Sequence, residues 1–465
     1  MYWQIRRDFY SLFKRSKFDE NHLDPIDGLR SIANLSIMFL NISMLFTLLV
    51  PAYPDRKWND YLESLVFAVN HILTLNLEIF FMISGFLLTY KLIGQWNRSY
   101  PRIDVFLFRE YPELIIRRVL RFWPGLLLAN FILIYFGEPP FPHKGFAFEF
   151  LRHFNIWIFC QNYFSIEYFN ITFAPLWTVS LDMQMYILLP LILYLCYSCR
   201  RFLSIYYSLV ILLVLSIVRT FLIFDPKKMQ VLPSVYRYPS LSTLSPEHLA
   251  YYIETNYNVT FFYDYPERDS IKVFMNRLYL PSEARFGSFI VGAILAVQLL
   301  KIKHHNQKPK KWKKFFFLGL ISLQIFFTIQ RSSLTIPSDF ILTLFIACSR
   351  QFYAMGQAFI LFTTICPSSH PFRSAWIRKI LCLPIWIPLA KLSYLVYLIH
   401  WRIAFELVFG GPLRFLEKFS VTYASFMSLL IVLLIIEPIS CIWFVLVEKP
   451  SERITGEFFE KKHSF

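Results

Sequence analysis

Behind the polar lead Asp24-Pro25-Ile26-Asp27-Gly28-Leu29-Arg30, the stretch Ser31 to Val50 is mostly apolar and carries no charge. About twenty such residues in a helix reach roughly 30 Å, the thickness of a bilayer's hydrocarbon core. That constrains the chain strongly. In lipid every backbone N–H and C=O must be satisfied within the protein, and an uncharged run of this length does so as a helix. Arg30 stands at the mouth of this span and Asn41 lies inside it. Eleven residues at 100° each come to about 1100°, three turns plus about 20°, so the two share one face about 16 Å apart along the axis. A guanidinium at the edge and an amide at mid-depth form a polar seam turned towards other helices. The plainer reading is an Arg reaching the headgroups and an Asn bonded to a neighbouring helix.

Comparable runs recur along nearly the whole sequence, which is 56% hydrophobic and 17% charged. A soluble domain carries about 25% charged residues. The pattern predicts an all-α polytopic transmembrane bundle of about ten spans, near 31–50, 72–94, 114–137, 173–197, 202–224, 284–302, 314–330, 338–366, 385–408 and 421–447. The net charge of +16 then reads as basic cytosolic loops, and nothing resembles a nucleic-acid-reading module. Of the seven cysteines only Cys160 falls in a long non-cytosolic loop, so no disulfide framework is expected.

One set of connections is basic: the N-terminal tail, 97–113 leading to Arg117, Arg118 and Arg121, Arg200-Arg201, Lys301–Lys314, Arg373–Lys379 and the C-terminal tail. The other set, 51–71, 138–172 and 225–283, is longer, mixed in sign and aromatic. The positive-inside rule puts the basic set and both termini in the cytosol, in the endoplasmic reticulum or plasma membrane. The sequons at Asn170 and Asn258 fall on the opposite side and mark a glycoprotein, whereas that at Asn97 is cytosolic and silent. The lysine run at 301–314 is a topology signal or a holder of anionic lipid. Residues 1–17 lack a long apolar core, so no cleaved signal peptide is expected and the first span directs insertion. The expected organisation is a cytosolic basic tail over 1–23, a membrane domain over 24–450 and a cytosolic tail over 451–465.

Charges inside spans are costly and therefore candidates for function. Glu78 and Asp182 are such charges, either acting directly or, on the plainer reading, paired with buried arginines or simply protonated. Tyr394, Tyr397 and His400 recur every three residues and form a stripe on one helix face. His400 is a reactive group or a satisfied core histidine. Glu437 before Pro438 reads as a packing kink. Arg118 and Arg121, an i,i+3 pair, make a fork for phosphate or mark the cytosolic end of a span.

Taken in order, these pieces resemble the acyltransferase-3 family of integral membrane O-acyltransferases, and its nose-resistant-to-fluoxetine branch most closely. The resemblance runs from Asp24 to Pro450. It rests on Asp27-Gly28-Leu29-Arg30, on Phe80 to Phe86 with Ser84 and Gly85, and on Arg118-Val-Leu-Arg121 with Pro124. It continues through Leu176-Trp177 to Asp182-Met183-Gln184, Tyr279-x-Pro281 with Arg285 and Gly292, Leu392-Ser393-Tyr394 to His400, and Glu448-Lys449-Pro450. The branch often carries a large extracellular N-terminal domain. None is expected here, because the sequence opens directly before the first span.

The resemblance implies acyl transfer from acyl-CoA, acetyl-CoA among the donors, to a hydroxyl on a lipid or other small acceptor, among membrane lipids and without a permanently bound cofactor. Arg118 and Arg121 would hold the CoA phosphates, helped by Arg30, which Asp27 would orient. Glu78, Ser84, Asp182, Gln184, Arg285, Tyr394 and His400 would line the polar centre. One departure matters: the family places a catalytic His eleven residues after the Arg of the first span, and this chain has Asn41 there. An amide does not titrate, and losing a general base costs about 10²–10⁴-fold in rate. The alternative is therefore a catalytically impaired member that takes up or distributes lipids or small amphiphiles, or regulates a partner. No inverted repeat points to an ion-coupled transporter.

Overall fold

The computed structural model describes residues 2–14, 23–49, 74–135, 145–163, 176–198, 202–225, 273, 275–305, 339–367, 370 and 372–463. All regular structure among them is helical. The order is α1 (Tyr2–Phe13), α2 (Pro25–Leu49), α3 (Leu77–Trp96), α4 (Tyr111–Tyr135), α5 (Gly145–Trp157), α6 (Trp177–Ser198) and α7 (Phe202–Ile223). Then follow α8 (Ser282–His305), α9 (Asp339–Ile365), α10 (Ala375–Leu381), α11 (Trp386–Phe409), α12 (Val421–Trp443) and α13 (Lys449–His463). π-Helical turns lead into α4 (Phe106–Glu110) and α8 (Met275–Tyr279) and join α12 to α13 (Phe444–Glu448).

Six described helices are long and apolar enough to cross a membrane: Leu77–Trp96, Trp177–Ser198, Ile205–Ile223, Asn276–Ile302, Trp386–Phe409 and Thr422–Phe459. The sequence led us to expect about ten. Three further expected spans are helices of 25, 25 and 27 residues, namely α2, α4 and α9. The tenth, 314–330, lies outside the described residues, as do the sequons at Asn170 and Asn258, the loop 51–71 and most of 225–283. Both expected tails contain helix: α1 lies within 1–23, and α13 crosses the expected boundary at 450. In α1, Trp3, Phe9, Tyr10 and Phe13 are exposed while Leu12 is buried. Its Asp8 receives two hydrogen bonds from Arg453 of α13, at 2.6 and 2.9 Å. Lys391 of α11 donates to the Ser11 carbonyl at 2.7 Å.

The first span is also the centre of the bundle. One half of α2 (Met38, Ile42, Leu45) packs in a core with α4, α6, α11 and α12, and its other half (Ile26, Leu29, Ala33) packs with α3, α8 and α9. Two close backbone approaches set this arrangement. A Cβ on Gly28 would lie 2.2 Å from the Leu381 carbonyl oxygen, so α10 ends directly on the Asp-Gly-Leu-Arg motif. Between α3 and α8 the approach is reciprocal. A Cβ on Gly85 would meet the Phe289 carbonyl at 2.1 Å, and one on Gly292 would meet the Met82 carbonyl at 1.9 Å. Small residues let helices without a hydrophobic driving force come together through dispersion contact. The outward faces of α7 (Ile211, Val214, Leu222) and α12 (Leu430, Leu434, Ile442) remain apolar and exposed, as lipid-facing helices require.

Candidate functional site

The stripe on α11 is real, and its three residues reach three different helices. Tyr394 donates to the Phe122 carbonyl of α4 at 2.8 Å. Tyr397 accepts from Thr178 Oγ1 of α6 at 3.0 Å. His400, fully buried, meets Asn41 of α2, with Nε2 2.8 Å from the amide nitrogen. Its Nδ1 faces the Tyr397 carbonyl at 2.7 Å and the Val396 carbonyl at 3.2 Å. Carbonyls only accept, so Nδ1 carries the proton. Nε2 is then the lone pair, and the Asn41 amide donates to it. His400 therefore touches the residue that marks where the family's base is missing.

One turn from Phe122, Arg118 pairs with Asp182 of α6. Its guanidinium lies 4.4 Å from the centre of the Tyr186 ring and 4.7 Å from that of Phe122. Arg121 is exposed and lines a cleft of about 230 Å³ with Arg117, Leu120, Pro124, Glu448 and Ser451. The two members of the expected fork thus have different surroundings. Arg30 interacts electrostatically with Arg118, Arg121, Asp27 and Asp182.

Glu78 and Arg285 form a buried ion pair between α3 and α8. Ser288 donates to the second carboxylate oxygen of Glu78 at 2.6 Å, and Arg350 of α9 approaches the first at 3.9 Å. Arg285 also donates to the Tyr279 carbonyl at 3.1 Å and sits between the Tyr279 and Trp177 rings, 4.3 and 5.2 Å from their centres. Both Glu78 and Asp182 are thus paired with arginines.

Gln184 bonds residues other than His400. It donates to the Phe159 carbonyl at 2.5 Å and to Asn162 at 2.8 Å, and it accepts from Ser282. It staples α6 to the start of α8 through the turn Gln161–Tyr163. Ser84 is half-buried on α3, and Glu437 is half-buried just before the in-helix Pro438. Two residues escaped the sequence reading. Arg350 was legible as a charge inside a long apolar segment, by the rule that picked out Glu78. Asn162, which bonds Gln184 and Ser282 at 3.2 and 2.9 Å, carries no local signal, because its partners are set by the fold. Among the described residues no group of His, Cys, Asp and Glu has the arrangement of a metal site.

No curated protein and no solved structure matches this chain. The family model Acyl_transf_3, described as an acyltransferase domain, matches residues 24–446, from the polar lead of α2 to the end of α12 and the turn beyond it. The chain therefore belongs to the acyltransferase-3 family.

Proposed function

We propose that this protein is a membrane O-acyltransferase of the nose-resistant-to-fluoxetine-like branch, moving an acyl group from acyl-CoA to a hydroxyl of a lipid or other small acceptor. The observation that carries the reading is the tautomer of His400, whose lone pair at Nε2 meets a weak, replaceable donor. In the reaction an acceptor hydroxyl takes the place of the Asn41 N–H. Its proton passes to Nε2 while its oxygen attacks the thioester carbonyl. The C–S bond then breaks, and the departing CoA thiolate recovers the proton from His400. An activated thioester held beside a positioned acceptor needs only modest help from a base. Arg121 and Arg117 meet the CoA phosphates in their cleft. Arg118, tied to Asp182, and Arg30 supply positive field behind them.

The proposed topology has about ten spans, adding α2, α4, α9 and 314–330 to the six, within a membrane domain over 24–450. Both termini are cytosolic, in the endoplasmic reticulum or plasma membrane. The second reading, a silent member that binds or moves lipids, is favoured by Asn41 itself, since its amide already occupies the lone pair a base would use.

Thioester turnover by the purified protein, with acetyl-CoA and a long-chain acyl-CoA, separates the two readings. Turnover in wild type that is lost in His400→Ala supports the enzyme. Acyl-CoA binding with no turnover in wild type supports the silent member.

A further inference from the structure

Around Glu78 the charges do not balance. Among the described residues, the Glu78 carboxylate faces two guanidiniums, Arg285 as an ion pair and Arg350 at 3.9 Å. Arg285 is 1% exposed, and its Nη2 is buried without a hydrogen-bond partner. A buried guanidinium with an idle donor is costly, and an excess positive charge in the interior of a membrane protein calls for an anion.

The backbone adds to the same field. Glu78 is the second residue of α3, Trp177 the first of α6, and Arg285 lies in the first turns of α8. The ion pair and the Trp177 ring bring these three helix starts together around Arg285. The positive end of each helix dipole lies at its start, which favours an anion there. Arg350 is held towards the same spot by bonding the Leu278 carbonyl at 2.8 Å.

We propose that Arg285 and Arg350 hold the oxyanion of an anionic amphiphile, a carboxylate or a phosphate monoester. Resting on the acyl-transfer reading above, this makes the acceptor a hydroxylated amphiphile with an acidic headgroup. Trp177 is followed by Thr178, which bonds Tyr397 at 3.0 Å, and the Tyr397 ring lies 5.7 Å from the His400 ring. A chain of contacts through Trp177, Thr178 and Tyr397 therefore links Arg285 to His400. The donor would use the Arg117/Arg121 cleft beside Tyr394, at the other end of the stripe, so the two substrates do not compete for the same cations.

The test uses the full chain in a neutral detergent. Binding of oleate and of lysophosphatidic acid is compared with that of oleyl alcohol and monoolein, and inorganic phosphate is added as a competitor. The acidic probes are expected to bind roughly ten- to a hundredfold more tightly than their neutral counterparts, the range of a charge-assisted hydrogen bond made or lost. Arg350→Gln, which leaves the Glu78–Arg285 pair intact, should remove most of that preference and leave the neutral probes unchanged. Arg285→Gln, which removes the idle Nη2 and leaves Glu78 balanced by Arg350, should do the same and serves where Arg350→Gln does not fold. Competition by phosphate identifies a seat for any small oxyanion; its absence identifies one that also needs the acyl chain. Equal binding of acidic and neutral probes, no binding of any, or a preference unchanged in the variants overturns the proposal. The transfer reading fails separately. Acid preference without thioester turnover keeps this site and removes the enzyme, while turnover without acid preference does the reverse.

Discussion

Asn41 and His400 are joined across two helices by a 2.8 Å hydrogen bond from amide nitrogen to Nε2. The carbonyls of Tyr397 and Val396 hold the proton on the other ring nitrogen. The pair therefore presents a neutral imidazole whose single lone pair is covered by an amide. Restoring a titratable group at position 41 is expected to raise acyl-CoA hydrolysis. Asn41→His should gain about 10²–10⁴-fold over wild type in a silent member, the usual contribution of a positioned base, and less where His400 already serves as the base. A thiol-release assay without acceptor reads this directly; unchanged hydrolysis would remove position 41 from the chemistry.

Replacing the amide by a shape-matched apolar group is expected to act on stability. Asn41→Leu strands a buried His400 lone pair, at a cost of about 1–3 kcal/mol. Thermal unfolding should show a lower midpoint, and His400→Leu added to Asn41→Leu should recover part of it. A strictly additive loss in the double variant would mean that the two side chains are not coupled.

Arg118 and Arg121 are expected to separate cleanly. Arg118→Ala leaves Asp182 partly buried without its partner and should lower the unfolding midpoint. Arg121 is exposed in the cleft beside Arg117. Arg121→Ala should keep the midpoint and weaken acyl-CoA binding by roughly tenfold, as the loss of one charged phosphate contact does. Titration of both variants with a non-hydrolysable acyl-CoA checks the assignment. Full affinity in Arg121→Ala would move the phosphate site elsewhere.

Gln184 bonds Phe159, Asn162 and Ser282 rather than the His400 centre. Gln184→Ala should therefore cost about 1–3 kcal/mol of stability, from buried partners left unsatisfied. Any residual turnover per folded molecule should stay within about twofold of wild type, because no transition-state contact is lost. A drop in turnover at an unchanged midpoint would place it in the chemistry instead.

Gly292 is expected to tolerate no side chain. A Cβ would stand 1.9 Å from the Met82 carbonyl, and that backbone cannot move without separating α3 from α8. Gly292→Val should fail to give folded protein, whereas Gly94→Ala, with nothing within 4 Å of its Cβ position, should express normally. Size-exclusion profiles of the two variants decide this.

Much of this protein was legible in one dimension. Uncharged apolar runs dictate helices in lipid, because no other backbone arrangement satisfies its own hydrogen bonds there. The same rule made Glu78 and Asp182 conspicuous as charges out of place, and the three-residue spacing put Tyr394, Tyr397 and His400 on one face. The tertiary structure decided what those residues face. It gave Glu78 and Asp182 their arginines, sent the three stripe residues to three helices, drew Gln184 into a staple and aimed Asn41 at His400. It also turned both expected tails into helices, because amphipathic segments fold where a neighbour covers one side. Periodicity fixes which side of a helix a residue occupies. The partner on that side comes from chain segments hundreds of positions away, and close backbone approaches such as those at Gly28, Gly85 and Gly292 settle how those segments meet.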